Sequence, residues 1–386
     1  MDYNRFKKMD ISQIGMGCYA LSGAYGGTDI TTYKKVLLYA RKQGINYFDT
    51  APSYGSKAER TLGEVIKPDR EEVYVSTKIG LKNDLTPILS YEHVISSCDN
   101  SLRELNTDHI DFYFVHYADA NTPIEETLNA LKDLKSDGKI AHYGISHLSQ
   151  EDVISYVKKG KITSVMMELS PVARSATDTL LPLCRDEGIA GIAFSVTGRG
   201  ILSGRYDRNH SFQETDIRNM DPLFRYTRLE SALRILDELK ELGNKYQKTP
   251  VQVAIRWVLS QPGITCALTG PSKQEHLREN IGGSGWELFS EDLTYINHIL
   301  KREDGILEDE EPRLMKTILN DPLPKDSSEA ISRLVYVLEI AAQRKMAKES
   351  QILPIFQQLW CLKKEGAKKM ELFEDIKGSI YNVLEL

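Results

Sequence analysis

Long apolar runs are missing from this chain: none approaches the roughly 18 residues that a membrane helix needs. Cysteine is sparse and scattered. The five residues Cys18, Cys98, Cys184, Cys266 and Cys361 form no CxxC pair, which excludes a thiolate metal pattern and a disulfide framework and points to free thiols in a reducing compartment. There is no long Lys/Arg run, and the formal net charge is −6, so a nucleic-acid binder working through bulk charge is excluded. The basic residues of the opening Met-Asp-Tyr-Asn-Arg-Phe-Lys-Lys are followed by no apolar stretch, so no secretory leader is expected and the setting read from the chain is cytoplasmic. What remains, 41% hydrophobic and 27% charged residues, is the composition of an ordinary globular protein.

Short β-rich runs alternate with helical patterns between about residues 11 and 281. The runs lie at 12–16, 45–48, 73–76, 110–115, 140–145, 165–169, 191–195 and 266–268. Between them, Tyr33, Val36, Leu37 and Ala40 repeat at helical spacing. Ile124, Leu128, Leu131 and Leu134 do the same and end at Asp137-Gly138, where glycine can cap a helix. Such alternation implies a parallel sheet with right-handed crossovers. Eight units over roughly 250 residues fit a closed (β/α)8 TIM barrel, an α/β fold, better than an open sheet. The other arrangement, a doubly wound sheet, lacks its fingerprint, because Gly15-Met16-Gly17 has no third glycine at the needed place.

The pattern changes after about residue 302. Acidic Glu308-Asp309-Glu310-Glu311-Pro312 reads as a break, and Asp321-Pro322-Leu323-Pro324 as a second. Ile331, Leu334, Val335, Leu338 and Ala341 then form one apolar stripe, Ile352, Ile355, Phe356, Leu359 and Leu362 another, and 370–384 is a third helical candidate. The chain is thus divided into a barrel over 1–303 and a C-terminal α-helical extension over 304–386. The stripes need cover from one another, from the barrel or from a second copy in a homo-oligomer.

In such barrels the working residues stand at the C-terminal ends of strands. Here Asp49, Lys78 and His116 each end an apolar run, and Tyr54 lies in the turn Asp49-Thr50-Ala51-Pro52-Ser53-Tyr54-Gly55. The set has a chemical logic. A phenol near pKa 10 is a poor acid at neutral pH, a neighbouring ammonium stabilises its phenolate, and a carboxylate keeps the ammonium charged. An imidazole beside them can orient a carbonyl. These are the parts for protonating an oxygen as charge develops on it.

At these residues the chain resembles the aldo-keto reductase family, from about residue 10 to 300. Asp-Thr-Ala-x-x-Tyr-Gly stands at 49–55. Ser76-Thr77-Lys78 is similar to the family's lysine strand and Val115-His116-Tyr117-Ala118-Asp119 to its histidine strand. Gly138-Lys139-Ile140 followed by Gly144-Ile145-Ser146-His147 is similar to the next. The resemblance implies an NADPH-dependent oxidoreductase, with NADH as the other candidate cofactor, that reduces an aldehyde or ketone or runs the reverse reaction. It implies Tyr54 as general acid, Lys78 lowering its pKa, Asp49 pairing with Lys78, and His116 orienting the substrate oxygen. The nicotinamide amide would meet Ser146 and His147, with Asp49 nearby. The pyrophosphate would be wrapped by 195–202, with Ser195, Val196, Gly198 and Gly200 at the backbone and Arg199 adding charge. The adenosine end would meet Gly270, Lys273, Glu279 and Asn280. A small-molecule carbonyl is the implied partner.

Several positions depart from the family pattern. His147 stands where asparagine is usual, Met166 and Leu169 where glutamine and a nicotinamide-stacking tyrosine are usual, and Val196-Thr197 where Pro-Leu is usual. Ser272 or His276 stands where an arginine often reads the ribose phosphate. These departures, with the added helices, define the competing reading: a cofactor-binding regulatory or accessory barrel with little turnover. Within the enzyme reading, Tyr19, Tyr25, Tyr117 and the segment 206–226 are candidates for lining a polar substrate cleft.

Overall fold

The structure is a computed structural model and describes every residue except 56, 82–85, 365–369 and 385–386. Ten strands are described: β1 (Tyr3–Phe6), β2 (Met9–Ser12), β3 (Ile14–Gly17), β4 (Tyr47–Asp49), β5 (Tyr74–Ile79), β6 (Ile110–Val115), β7 (Ile140–Ile145), β8 (Ser164–Glu168), β9 (Ala190–Phe194) and β10 (Ile264–Thr269). Strands β3 to β10 close into a parallel barrel in chain order, with β10 bonded back to β3. All eight predicted runs are therefore barrel strands. Strand β6, Ile-Asp-Phe-Tyr-Phe-Val, is buried at every position, as a parallel strand covered on both faces must be.

The hairpin of β1 and β2 was not expected. Its antiparallel register pairs Tyr3 with Ser12 and Phe6 with Met9, and Lys7 turns the corner at a φ of 53°. The predicted run 12–16 is accordingly split. Ser12 ends β2, and its Oγ donates to the Ile14 carbonyl (2.8 Å) while its N–H donates to Asn46 Oδ1 (2.8 Å). Asn4 donates to the Thr265 carbonyl near the start of β10 (2.9 Å), which puts the hairpin at the entry end of the strands. From there Phe6 and Ile11 pack with Phe112, Phe114, Met166 and Ile192 of the barrel interior.

The helices are α1 (Ile30–Lys42), α2 (Ala58–Ile66), α3 (Tyr91–Leu105), α4 (Ile124–Ser136), α5 (Gln150–Lys159), α6 (Leu180–Glu187), α7 (Tyr226–Tyr246), α8 (Pro250–Leu259), α9 (Gln274–Ile281), α10 (Ser290–Asn320), α11 (Ser327–Gln343), α12 (Glu349–Lys364) and α13 (Met370–Leu384). The apolar residues predicted for α1 and α4 are the buried ones, and α4 ends at Asp137 with Gly138 at a φ of 75°. The chain forms two compact units, Met1–Gly204 with Leu239–Leu293 and Arg205–Glu238 with Thr294–Leu386. The barrel belongs to the first.

In the second unit the stripes of α11 and α12 share one core with α13. Ile331, Leu334, Leu338, Ile352, Ile355, Leu359, Phe373 and Ile380 are buried together, and Val335, Phe356 and Leu362 pack against them half-buried. The acidic run at 308–312 is not a break. Helix α10 passes through it and carries Pro312 inside. Glu311 is 2% exposed and accepts from Arg228 (2.7 Å) and Arg344 (2.8 Å), so this carboxylate is an internal charge held by two guanidiniums. The chain leaves the helix only at the second predicted break, next to Asp321-Pro322.

Two glycines report on packing in opposite directions. A Cβ on Gly63 of α2 would run into the backbone carbonyl of Leu105 at the end of α3, while one on Gly305 within α10 would meet open space. Gly63→Ala should destabilise the protein by about 1–3 kcal/mol. Gly305→Ala should stabilise it by about 0.5–1 kcal/mol. Chemical denaturation of both variants beside the parent measures each sign.

Candidate active site

Alternation along β5 sorts its side chains. Thr77 points outward and donates to Glu59 Oε1 of α2 (2.7 Å), while Ser76 and Lys78 point the other way, toward Asp49. Asp49 is the last residue of β4, in register with Ser76, and Lys78 lies one inward step further along β5. Lys78 Nζ donates to Asp49 Oδ1 (2.6 Å), to Asp49 Oδ2 (2.7 Å) and to the Thr50 carbonyl (2.9 Å). Both charges are buried, at 2% and 4% exposure. Burial lowers the Lys78 pKa from its ordinary value, and the charge and hydrogen bonds of Asp49 oppose that shift.

Tyr54 sits on a 3-10 turn, Pro52–Tyr54, closed by Gly55 at a φ of 104°. Lys78 Nζ lies 4.8 Å from the centroid of its ring. The ring meets Tyr19 edge-on at 5.1 Å and His116 at 6.1 Å. The resemblance implies that Lys78 lowers the Tyr54 pKa; in this geometry the phenol is instead held well above its ordinary value, first by removal from water and then by the Asp49 carboxylate. The reason is geometric. The ammonium directs its three N–H groups at Asp49 and Thr50 rather than at the phenol, so removal from water and the Asp49 carboxylate set the direction.

His116 follows β6, with its N–H bonded to the Ile79 carbonyl (2.7 Å) and its Nδ1 3.5 Å from Ser53 Oγ. Burial is the larger cause, and Lys78 and His147 the smaller ones, of a pKa well below the ordinary histidine value. His116 is therefore a neutral imidazole at neutral pH, one nitrogen donating and the other accepting. Asp49, Tyr54, Lys78 and His116 thus come together at one end of the barrel.

The residues expected around the nicotinamide lie on the same rim. Ser146 follows β7 and is buried, and among the described residues its Oγ has no hydrogen-bond partner. A buried hydroxyl without a partner is costly, so it marks a place where an amide or similar group would fit. His147 adopts a left-handed φ of 44°. Its ring stacks on Tyr117, centroids 5.2 Å apart and planes 17° apart. The protein around it, and then the cations of Lys78 and Arg199, push its pKa down to about 4. Met166 is an interior packing residue, and Leu169 is fully buried. An aromatic ring stands on the same rim one strand further on. Phe194, the last residue of β9, lies half-buried with its ring 4.7 Å from His147. Its position at a strand end, immediately before Ser195, is the signal that could have found it.

Beyond β9 the chain is strained. Ser195 (φ 54°), Gly198 (56°), Arg199 (51°) and Gly200 (98°) are left-handed, two of them non-glycine, while Val196 is buried. Arg199 pairs with Glu168 at the end of β8 (2.9 Å). After β10, Gly270 lies so close to the Gly17 carbonyl that a Cβ would stand 3.0 Å from it. Lys273 caps α9, exposed, with its Nζ 3.8 Å from Glu275 Oε1, and His276 Nε2 is 3.5 Å from the same oxygen. Asn280 is buried on α9, and the backbone carbonyl of its neighbour Glu279 accepts from Gln252 (2.9 Å). These residues, expected at the adenosine end, share one loop and helix.

The profile of the Aldo/keto reductase family matches residues 13–301. Aldo-keto reductase YhdN of Bacillus subtilis is 34% identical over 301 residues, covering 76% of this chain and 91% of that one. An NADH-specific methylglyoxal reductase of Escherichia coli is 29% identical over 310 residues, 75% of this chain and 94% of that one. Among solved structures, a glycerol dehydrogenase from Gluconobacter oxydans superposes with a TM-score of 0.72 at 28% identity, over 78% of this chain and 96% of that one. A closed parallel barrel with this strand-end chemistry, matched by profile and by relatives over three quarters of its length, belongs to the aldo/keto reductase family of NAD(P)H-dependent carbonyl-reducing enzymes.

Proposed function

We propose that this site reduces a small aldehyde or ketone to its alcohol with Tyr54 as the proton donor. The observation that carries the proposal is the convergence of Tyr54, the buried Lys78–Asp49 pair and neutral His116 on one rim. The dinucleotide, when bound, supplies the hydride. The protein does the rest. Its high resting pKa keeps Tyr54 protonated and ready to give. As a carbonyl oxygen gains charge it becomes a far stronger base than a phenolate, and transfer from Tyr54 turns downhill. The Lys78 cation stabilises the phenolate left behind, and Asp49 keeps that cation charged where burial would strip its proton. His116, neutral, can present an N–H to the same oxygen.

The cofactor residues follow from position. Ser146 offers its unpartnered hydroxyl, Phe194 an aromatic face, the left-handed run around Gly198 to Gly200 close backbone approach, and the loop from Gly270 to Asn280 the adenosine end. A small carbonyl substrate is supported by relatives named for methylglyoxal and glycerol. A cytoplasmic setting is supported by cysteines that are all free; among the described residues no helix is long and apolar enough to cross a membrane. Self-association through the C-terminal helices would use the outer faces of α11 to α13, since their stripes already bury one another. An accessory barrel without turnover has no use for two desolvated charges beside a phenol.

Two outcomes test the assignment. Tyr54→Phe should lower kcat on a reactive aldehyde by about 10²–10⁴ while NADPH still quenches protein fluorescence with near-parental affinity. Parental turnover in that variant would remove Tyr54 from the role. Between pH 5 and 8 the kcat profile should lack a limb at the ordinary histidine value of 6.5, because His116 titrates well below it and is already neutral there. An acidic limb near 6.5 that disappears in His116→Gln would show that His116 must lose a proton to work.

A further inference from the structure

We infer that Ser76 is a positioning residue of this site, acting through Asp49 on the proton held by Lys78. The inference rests on the reading of Tyr54 and Lys78 as the proton-donating pair. Ser76 is fully buried on the inward face of β5, and the strand register sets it beside Asp49. Its Oγ donates to Asp49 Oδ1 at 2.7 Å, with the Phe48 carbonyl 3.4 Å away as a weaker acceptor. The short bond goes to a carboxylate, which makes it the stronger kind.

That bond has a directional consequence. Asp49 receives both of its bonds from Lys78, one per oxygen, at 2.6 and 2.7 Å. This bidentate contact needs the carboxylate plane to face Nζ. Lys78 approaches from one residue pair further along the strands and cannot by itself stop the plane from rotating about the Cβ–Cγ bond. Ser76 supplies a third contact from the register position itself, and three contacts define the plane.

Without the Ser76 hydroxyl, Asp49 can turn and leave Lys78 one oxygen instead of two. Burial lowers the Lys78 pKa, and Asp49 is the main opposing influence. The other groups facing the ammonium are Glu59 from α2, Cys18 after β3, Tyr54 in the β4 loop, His116 after β6 and His147 after β7. Glu59 is buried and bonded to Thr77 on the far side of β5, so it cannot take over the vacated place. The ammonium would then lose its proton at a lower pH, and the phenolate left by proton transfer would lose its counter-charge at that same pH.

Ser76→Thr and Ser76→Val make the test, since they match in shape and differ in the hydroxyl; Ser76→Ala adds a variant with no added bulk. The kcat–pH profile should place the alkaline limb of Ser76→Val and Ser76→Ala about one unit below that of Ser76→Thr, with kcat lower by about tenfold at a pH above both limbs. The carbonyl KM and the NADPH dissociation constant from fluorescence should stay within about twofold across the set, because Ser76 faces neither ligand. Overlapping limbs for Ser76→Thr and Ser76→Val overturn the inference. So does a loss in Ser76→Val and Ser76→Ala that leaves the limb in place and follows thermal stability, since that is a packing effect. If the valine and threonine variants are both too unstable to assay, the alanine variant against the parent decides by the same limb. Tyr54→Phe measured alongside separates the two claims: if it turns over like the parent, the reading of the site fails, whereas an inactive Tyr54→Phe with unshifted Ser76 variants removes only the role of Ser76.

Discussion

The contact between Lys78 and Asp49 is the constraint around which this site is arranged. Two opposite charges are held almost entirely out of water, at distances of 2.6 and 2.7 Å. Desolvating such a pair costs several kcal/mol per ion, and close contact with full hydrogen bonding is needed to offset it. Every donor and acceptor of the pair is accordingly placed. The third ammonium proton finds the Thr50 carbonyl, and Asp49 Oδ1 finds Ser76. This in turn fixes strand geometry. Asp49 must end β4, Ser76 must be its register partner, and Lys78 must stand two residues on so that it shares the inward face. A slip of one residue between β4 and β5 would send Lys78 outward and leave Asp49 buried without a counter-charge.

The same pair explains why the fold and the acid cluster are legible in one sequence. A strand buried on both faces is a continuous apolar run, and a polar residue at its end stands out against it. Asp49, Lys78 and His116 do so. What escapes reading lacks that contrast. Strands β1 and β2 are four residues each, with Asn4, Arg5 and Asp10 among them, and only Phe6 and Ile11 carry the apolar signal. Phe194 ends β9 as one more apolar residue, so nothing in composition separates a ring at the mouth from a ring in the core. The continuation of α10 through 308–312 is hidden because a sequence does not say which glutamate faces inward; Arg228 and Arg344, far along the chain, make Glu311 an internal residue. The direction of the Tyr54 pKa is hidden for a related reason. Proximity to lysine predicts a fall, but the ammonium's own hydrogen bonds aim it at Asp49.

The two halves of the rim are built differently. The acid half is held by regular strand register, and the hydrogen bonds of its buried ion pair are met as it stands. The other half is where backbone strain collects. His147, Ser195 and Arg199 are non-glycine residues with left-handed φ, and all lie just past the ends of β7 and β9. Each such conformation costs on the order of 1 kcal/mol or more and persists because its surroundings over-determine it. Ser146 adds a buried hydroxyl without a partner among the described residues. Strain and an unmet hydroxyl together describe a surface shaped for something other than its own stability.

Arg199 sharpens the contrast. Its guanidinium is within 2.9 Å of Glu168, both side chains roughly a quarter to a third exposed at 27% and 32%. The two side chains keep partial contact with water, unlike the Lys78–Asp49 pair, so the charge of Arg199 sits in a more polar setting than that of Lys78. This difference matches what each cation has to do. The proton-donating half must not rearrange between turnovers, because a buried ammonium that lost its partner would lose its proton. On the proposed reading the other half admits and releases the dinucleotide, and its partly hydrated ion pair on a strained loop is the less tightly enclosed of the two.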